Sequence, residues 1–259
     1  MKKELSVLKE CLKTAGNIAL RHMGKVDFSL KGRANLVTKA DLACQKAILK
    51  IIEKNFPEHD FLAEEEGLKN TGSCWRWVID PIDGTTNFAH AMPHFSISIA
   101  LAYKNEVRLG GVYDPCFDEM FIACKGKGST LNGKKIKVSK TAKLENALLV
   151  TGFPYVREGR MEELLKRFNN FILSCHDIRR LGSAALDLCW VAAGRFDGYW
   201  EDSLNPWDSA AGKLILEEAG GKVTDYANKK WTRLETFGRQ TLASNGKIHR
   251  EMFDIIKKQ

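Results

Sequence analysis

Four apolar runs follow one another between Trp75 and Gly126: WRWVI, FSISIALAY, VRLGGVYDP and EMFIACKG. Strands of this spacing, joined by short turns, predict a largely antiparallel sheet in the first half of the chain. FSISIALAY alternates for five residues and then becomes wholly apolar. The second half has a different rhythm. ALLVTGF reads as a strand, GRMEELLKRFNNFIL as a helix, HDIRRL as a strand, and SAALDLCWVAAG as a small-residue helix closed by Gly194. FDGYWE is a further strand, and NPWDSAAGKLILEEAGG is a helix with Asn205 as cap and Pro206 at its first position. The strands GKVTD and TLASN and a last helix reaching Ile256 complete an α/β alternation. With no long linker and no internal repeat, we expect α and β layers stacked in one catalytic-sized unit over residues 1–259. Its N-terminal lobe would span about residues 1–145 and its C-terminal lobe about 146–259.

Two helices precede these strands. Leu5, Leu8, Leu12, Ala15 and Ala19 fall at helical spacing and predict an amphipathic helix ending near Gly24. A second is predicted from Thr38 to about Asn55, with Thr38 as N-cap and Asp41 in the capping-box position. Ala43, Ala47, Ile48 and Ile51 would form its apolar face. No apolar run approaches the ~20 residues of a membrane span, and charges at Glu4, Lys9, Glu10 and Lys13 interrupt any signal-peptide core. A cytoplasmic location is therefore the expectation. The seven cysteines lie singly, without CxxC spacing, which argues for reduced thiols rather than a zinc site or a disulfide framework.

The net charge of +8 raises the question of anionic partners. The one dense basic block, KGKGSTLNGKKIKVSK at 125–140, contains no aromatic residue on which bases could stack. It reads as a solvated basic loop or hairpin, and nucleic acid as an unlikely partner.

Chemistry concentrates in the stretch WVIDPIDGTTNFAH, where an apolar strand runs into Asp80 and Asp83, separated by the rigid Pro81-Ile82 pair. Glu64, Glu65 and Glu66 form a second acidic cluster after FLA, and Asp208 stands in the first turn of a helix. Hard divalent cations take oxygen ligands, and Mg²⁺ in particular is held by a few carboxylates, water and substrate phosphate. Closely placed acids repel one another unless a cation compensates them, so such a set is either spread apart or metal-loaded. Gly84-Thr85-Thr86 permits a tight turn whose amides can receive a phosphate. Plainer explanations exist for each residue taken alone. Asp80 and Asp83 also suit a turn, Asp208 and Asp41 suit helix starts, and the triple glutamate suits a solvated acidic turn. The six histidines show no HxH or HExxH spacing, Ser183 lacks a GxSxG elbow, and no nucleotide-binding glycine loop is present.

Taken together, WVIDPIDGTTNF, WDSAAG at 207–212 followed by EAGG, NLVTKAD at 35–41 and AEEEG at 63–67 resemble the inositol monophosphatase family. These are Mg²⁺-dependent, lithium-sensitive phosphatases. The resemblance spans almost the whole chain and implies a layered αβαβα sandwich and a homodimer. It implies two to three Mg²⁺ ions, with Glu64, Asp80 and the Ile82 carbonyl at one and Asp80, Asp83 and Asp208 at another. Glu65 would lie behind this set, although the triple glutamate leaves its register open. Thr85, paired with Asp41, would orient the attacking water, and Glu64 would face a third ion through water. The amides of Gly84 and Thr85 would hold the phosphate. Asp83, the backbone of Ala184 and the carboxylate of Glu201 would meet the alcohol.

The reaction so implied is in-line attack of activated water on phosphorus, with no covalent phospho-enzyme. The motif wording sits nearer to inositol monophosphatases than to the nucleotide branch, so a small phosphorylated alcohol or sugar is the expected substrate. Fructose 1,6-bisphosphate is the alternative ester. Arg179 and Arg180 could contact a second phosphate, but a surface or dimer-contact role is favoured for them. An RNA- or transcription-complex-binding accessory is the alternative of a different class.

Overall fold

The computed structural model describes residues 1–25, 28–30 and 36–258; Asn35, the first residue of the NLVTKAD match, lies outside them. In the first half the order is α1 (Lys2–His22), β1 (Phe28–Leu30), β2 (Leu36–Thr38), α2 (Lys39–Asn55), β3 (Asp60–Ala63), β4 (Gly67–Lys69), β5 (Trp75–Asp83) and α3 (Thr85–Ala89). Then come β6 (Ser96–Tyr103), β7 (Glu106–Asp114), β8 (Glu119–Cys124), β9 (Gly128–Leu131) and β10 (Lys134–Lys135). The second half contains β11 (Leu148–Thr151), α4 (Met161–Ile172), β12 (Asp177–Arg179), α5 (Ala184–Ala192) and β13 (Gly198–Asp202). It ends with α6 (Pro206–Glu218), β14 (Lys222–Thr224), β15 (Gln240–Ser244) and α7 (His249–Ile256).

Strands β3 to β10 form one eight-stranded sheet in the order β10-β9-β8-β7-β6-β5-β3-β4. Only the β3–β5 pair in it is parallel. The five-stranded sheet, β12-β11-β13-β15-β14, is mixed, with β11 parallel to both β12 and β13. The side chains sort these elements into five layers. On β6, the large Ile97, Ile99 and Leu101 face α1 and α2, whereas the small Ala100 and Ala102 face α5 and α6. The far side of α5 and α6 packs against the second sheet through Val150, Tyr199, Val223 and Ala243. That sheet's outer face buries Leu149, Trp200 and Leu242 under α4 and α7, through Phe171, Met252 and Ile256. The architecture is a layered αβαβα sandwich.

Small residues let the middle layer approach the first sheet. A Cβ on Gly110 of β7 would stand 3.0 Å from the Ala211 carbonyl oxygen of α6. The AAG of WDSAAG is thus a packing device that brings the start of α6 close to the end of β5.

Two local expectations need correction. The buried face of α2 is Ala40, Asp41, Cys44, Gln45, Ile48, Leu49 and Ile52; Ala43, Ala47 and Ile51 lie on its flank. The true stripe includes two polar residues whose hydrogen bonds permit burial, so apolar spacing alone rotates the face. The strand before the DPIDGTT turn also continues through it to Asp83, with an irregularity between Asp80 and Asp83. Pro81, which has no N–H to give, falls inside that irregularity.

Candidate active site

The end of β5 opens into a cavity of about 660 Å³. Its wall includes Glu64, Asp80, Ile82, Asp83, Gly84, Thr85, Ala184, Glu201 and Asp208, so residues up to 144 positions apart in sequence meet at one place. Each arrives by a definite element. Asp80, Ile82 and Asp83 come from the irregular end of β5, and Gly84 and Thr85 from the start of α3. Ala184 opens α5, Glu201 ends β13, and Asp208 lies in the first turn of α6. Three helix starts therefore border one cavity.

Glu64 follows β3, its N–H bonded to the Ile79 carbonyl at 3.2 Å. The next residue is fixed from outside: Glu65 N–H donates to the buried Gln45 Oε1 at 3.0 Å. Of the three glutamates, Glu64 is the one in the cavity wall. Asp41 stands behind the wall. Its Oδ2 accepts from Thr38 N–H and Oγ at 2.7 and 2.5 Å, closing the capping box. Its Oδ1 lies 3.4 Å from the Thr85 hydroxyl. That hydroxyl also reaches the Ile82 carbonyl at 3.0 Å.

Asp83 and Asp208 each sit at a helix start, in different ways. Asp208 accepts the Asn205 N–H at 2.7 Å and so caps its own helix. Asp83 reaches across to α5. Its Oδ2 accepts from the Ser183 hydroxyl and from Ala185 N–H (2.8 Å), and its Oδ1 from Ala184 N–H at 3.2 Å. The Ala184 amide is thereby engaged with Asp83. Gly84 takes φ 96°, and a Cβ there would stand 3.1 Å from the Gly182 carbonyl oxygen. Glycine is required for that turn.

Carboxyl groups from several segments crowd one wall of the cavity. Burial and then the negative charges of Glu64, Asp83, Asp208 and Asp41 hold the Asp80 carboxyl well above its usual range. Asp208 is raised by burial and by Asp83, Glu64 and Glu201 despite its amide bond. Asp83 is pushed up to about 6 by burial, against the pull of its donors on α5. Glu201 is pushed up to about 7 by burial, opposed by the Tyr199 hydroxyl and by Arg180. The Glu201 carboxylate lies so close to the chain that a Cβ on Gly152 would be 2.0 Å from it.

Among the described residues, no three Asp, Glu, His or Cys side chains are gathered tightly enough to hold a metal ion by themselves. The donor set nevertheless fits a hard divalent cation: carboxylate oxygens from three segments, a backbone carbonyl, and a surplus of buried negative charge. A bound cation would lower the cost of each of these ionised groups.

Several lining residues were not found from sequence. Phe153, Pro154, Tyr155 and Arg157, on the segment after β11, also line the cavity. Tyr155 ionises less readily than a free phenol, through burial and then the charges of Asp83, Asp208, Asp80 and Glu64. The two arginines separate. Arg179 turns to Asp177 at the sheet edge. Arg180 folds back over Gly182, where a Cβ would meet its Nη1 at 2.5 Å, and lines the cavity. Arg180 is exposed while lining the cavity, and the glycine two positions on leaves room for its side chain to turn that way. Ser183, set aside for lack of an elbow motif, bonds directly to Asp83.

An acidic wall beside three helix starts sits in a layered αβαβα fold. Residues 1–258 match the inositol monophosphatase family, and the chain belongs to that family. It is 44% identical over 255 residues to an inositol-1-monophosphatase of Synechocystis, covering 97% of this chain and 88% of that protein. It is 43% identical over 226 residues to the Nus factor SuhB of Pasteurella multocida, covering 86% of this chain and 85% of that one. The crystal structure of the extragenic suppressor protein suhB from Bartonella henselae superposes with a TM-score of 0.92 at 37% identity, covering 98% of both chains. An IMPase/NADP phosphatase whose crystal structure holds Mg²⁺ and phosphate superposes at 0.86 with 27% identity, covering 98% of this chain and 95% of that one.

Proposed function

We propose that this protein is a Mg²⁺-dependent phosphomonoester hydrolase that converts myo-inositol 1-phosphate and water to myo-inositol and phosphate. The observation that carries the reading is the meeting of Glu64, Asp80, Asp83 and Asp208 with the starts of α3, α5 and α6 at one cavity. Two to three ions would be held by Glu64, Asp80, the Ile82 carbonyl, Asp83 and Asp208. Bound there, Mg²⁺ supplies activation of water and polarisation of the phosphoryl group. Thr85, backed by Asp41, orients the attacking water. The amides of Gly84 and Thr85 hold the phosphoryl oxygens, where fixed N–H donors match developing charge without reorganisation. Asp83, Ala184 and Glu201 line the side that receives the alcohol.

The name inositol-1-monophosphatase on a relative 44% identical supports this ester over others. The position of Arg180 in the cavity wall supports a bisphosphate such as fructose 1,6-bisphosphate as the alternative. A role as accessory to a transcription complex is the reading of a different class, supported by the relatives named Nus factor and by the net charge of +8. A homodimer acting in the cytoplasm completes the proposal. The test is phosphate release from a panel of inositol, sugar and nucleotide phosphates, with and without Mg²⁺ and with added lithium. Magnesium-dependent, lithium-inhibited hydrolysis of myo-inositol 1-phosphate is expected. A metal-loaded sample inactive on the whole panel overturns it.

A further inference from the structure

Ser183 occupies the N-cap position of α5, where a serine hydroxyl ordinarily accepts from the first-turn amides of its own helix. Here it makes no such bond. The amides of Ala184 and Ala185 are instead taken by Asp83, a residue a hundred positions earlier, and the Ser183 hydroxyl itself donates to Asp83 Oδ2. The cap of α5 is thus supplied from another segment, and the serine is turned from acceptor to donor. Ser96 stands at the edge of the same group, its hydroxyl 3.4 Å from both Asp83 Oδ2 and Ser183 Oγ. The two carboxylate oxygens are treated unequally. Oδ2 takes the Ser183 hydroxyl, the Ala185 amide at 2.8 Å and the distant Ser96 hydroxyl; Oδ1 takes the Ala184 amide at 3.2 Å.

We propose that Ser183 is a positioning residue for the metal ligand Asp83: with the first amides of α5 it fixes Oδ2, so that Oδ1 is the oxygen offered to the cation. The assignment rests on the proposed reading of Asp83 as a ligand. A carboxylate clamped at one oxygen by a rigid helix start cannot swing away when its negative neighbours repel it. It therefore meets an incoming ion in a fixed orientation. Partners of this kind, hydrogen-bonded to a ligand rather than to the ion, typically change metal affinity 10- to 100-fold when removed. Ser183 is fully buried, so no solvent molecule replaces its hydroxyl without rearrangement.

The test is Mn²⁺ binding to the purified full chain, followed by electron paramagnetic resonance of free Mn²⁺, for wild type, Ser183→Ala, Ser183→Thr and Ser96→Ala. Ser183→Ala is expected to bind about 10- to 100-fold more weakly. Ser183→Thr, which keeps the hydroxyl, and Ser96→Ala, which removes only a long bond, should stay within about threefold of wild type by the same comparison. Should Ser183→Ala fail to fold, Ser183→Cys, near in size but a weak donor, carries the same expected loss. Wild-type affinity in Ser183→Ala, or in a folded Ser183→Cys, overturns the assignment, even if melting temperature falls. A wild-type protein that binds no Mn²⁺ removes the metal reading itself and this assignment with it.

Discussion

If the buried acids await a cation, the protein stripped of divalent metal should lose stability as pH rises toward neutrality, and Mg²⁺ should reduce that loss. Asp83 titrates at about 6 rather than 3.8, a native-state penalty on its ionised form of ~3 kcal/mol. Glu201, at about 7 rather than 4.5, carries a penalty of ~3 kcal/mol as well. A carboxyl raised on folding stabilises the native state while it stays protonated, and that contribution disappears as pH climbs through its folded value. Two histidines act in the opposite sense. Burial lowers His94 and His249 from 6.5 to about 4, so their contribution grows with pH until about 6.5 and then stops. Below pH 6.5 the histidines offset only part of the loss from the raised carboxyls.

Burial and neighbouring negative charge raise Asp80 and Asp208 in the same direction, so both add to the loss as pH climbs above the ordinary carboxylate range. Each such carboxyl lowers stability by ~1.4 kcal/mol per pH unit. At ~2–4 °C per kcal/mol for a chain of this size, melting temperature should fall by several degrees between pH 5 and 7. Differential scanning calorimetry in chelator and in saturating Mg²⁺ measures this directly. A chelated protein whose melting temperature is flat or rising over that interval, or a slope unchanged by Mg²⁺, would refute the reasoning.

Further consequences are independent of that experiment. Asp83→Asn should cut turnover at saturating Mg²⁺ by at least ~10²-fold, since it removes a charge from the electrostatic clamp; steady-state assay with near-normal turnover would take Asp83 out of the site. Arg167 and Asp202, 2% and 4% exposed, form an ion pair under α4. Arg167→Ala should cost about 3–5 kcal/mol in urea unfolding by leaving Asp202 buried without it, and a loss below ~1 kcal/mol would show the pair to be unimportant. RNA titrated against the protein should show no binding near physiological salt; tight binding there with a steep salt slope would favour the accessory role.

Much of the site was visible in the sequence because its acids are attached to local signals. Asp80 and Asp83 mark the end of an apolar strand, Asp208 follows an Asn-Pro helix start, and Asp41 belongs to a capping box. Each also performs that local job in the structure: Asp208 caps α6 and Asp41 closes the box with Thr38. Structural and functional explanations were never exclusive. The wall formed by Phe153, Pro154 and Tyr155 had no such signal, since its place depends on β11 running beside β13 in the second sheet. The direction taken by Arg180 was not legible, because the course of a long side chain is set by what surrounds it, here Gly182. On α2, Cys44, Leu49 and Ile52 belong to the core with Asp41 and Gln45. Two polar residues with buried partners displaced the apparent apolar stripe by part of a turn.

The most direct measurement is the anomalous map of a crystal equilibrated with Mn²⁺ in place of Mg²⁺. The account predicts ions in the cavity with oxygens of Glu64, Asp80, Asp83 and Asp208 and the Ile82 carbonyl at ~2.0–2.3 Å. Carboxylates still standing apart around a cavity without Mn²⁺, in a crystal saturated with the ion, would contradict it.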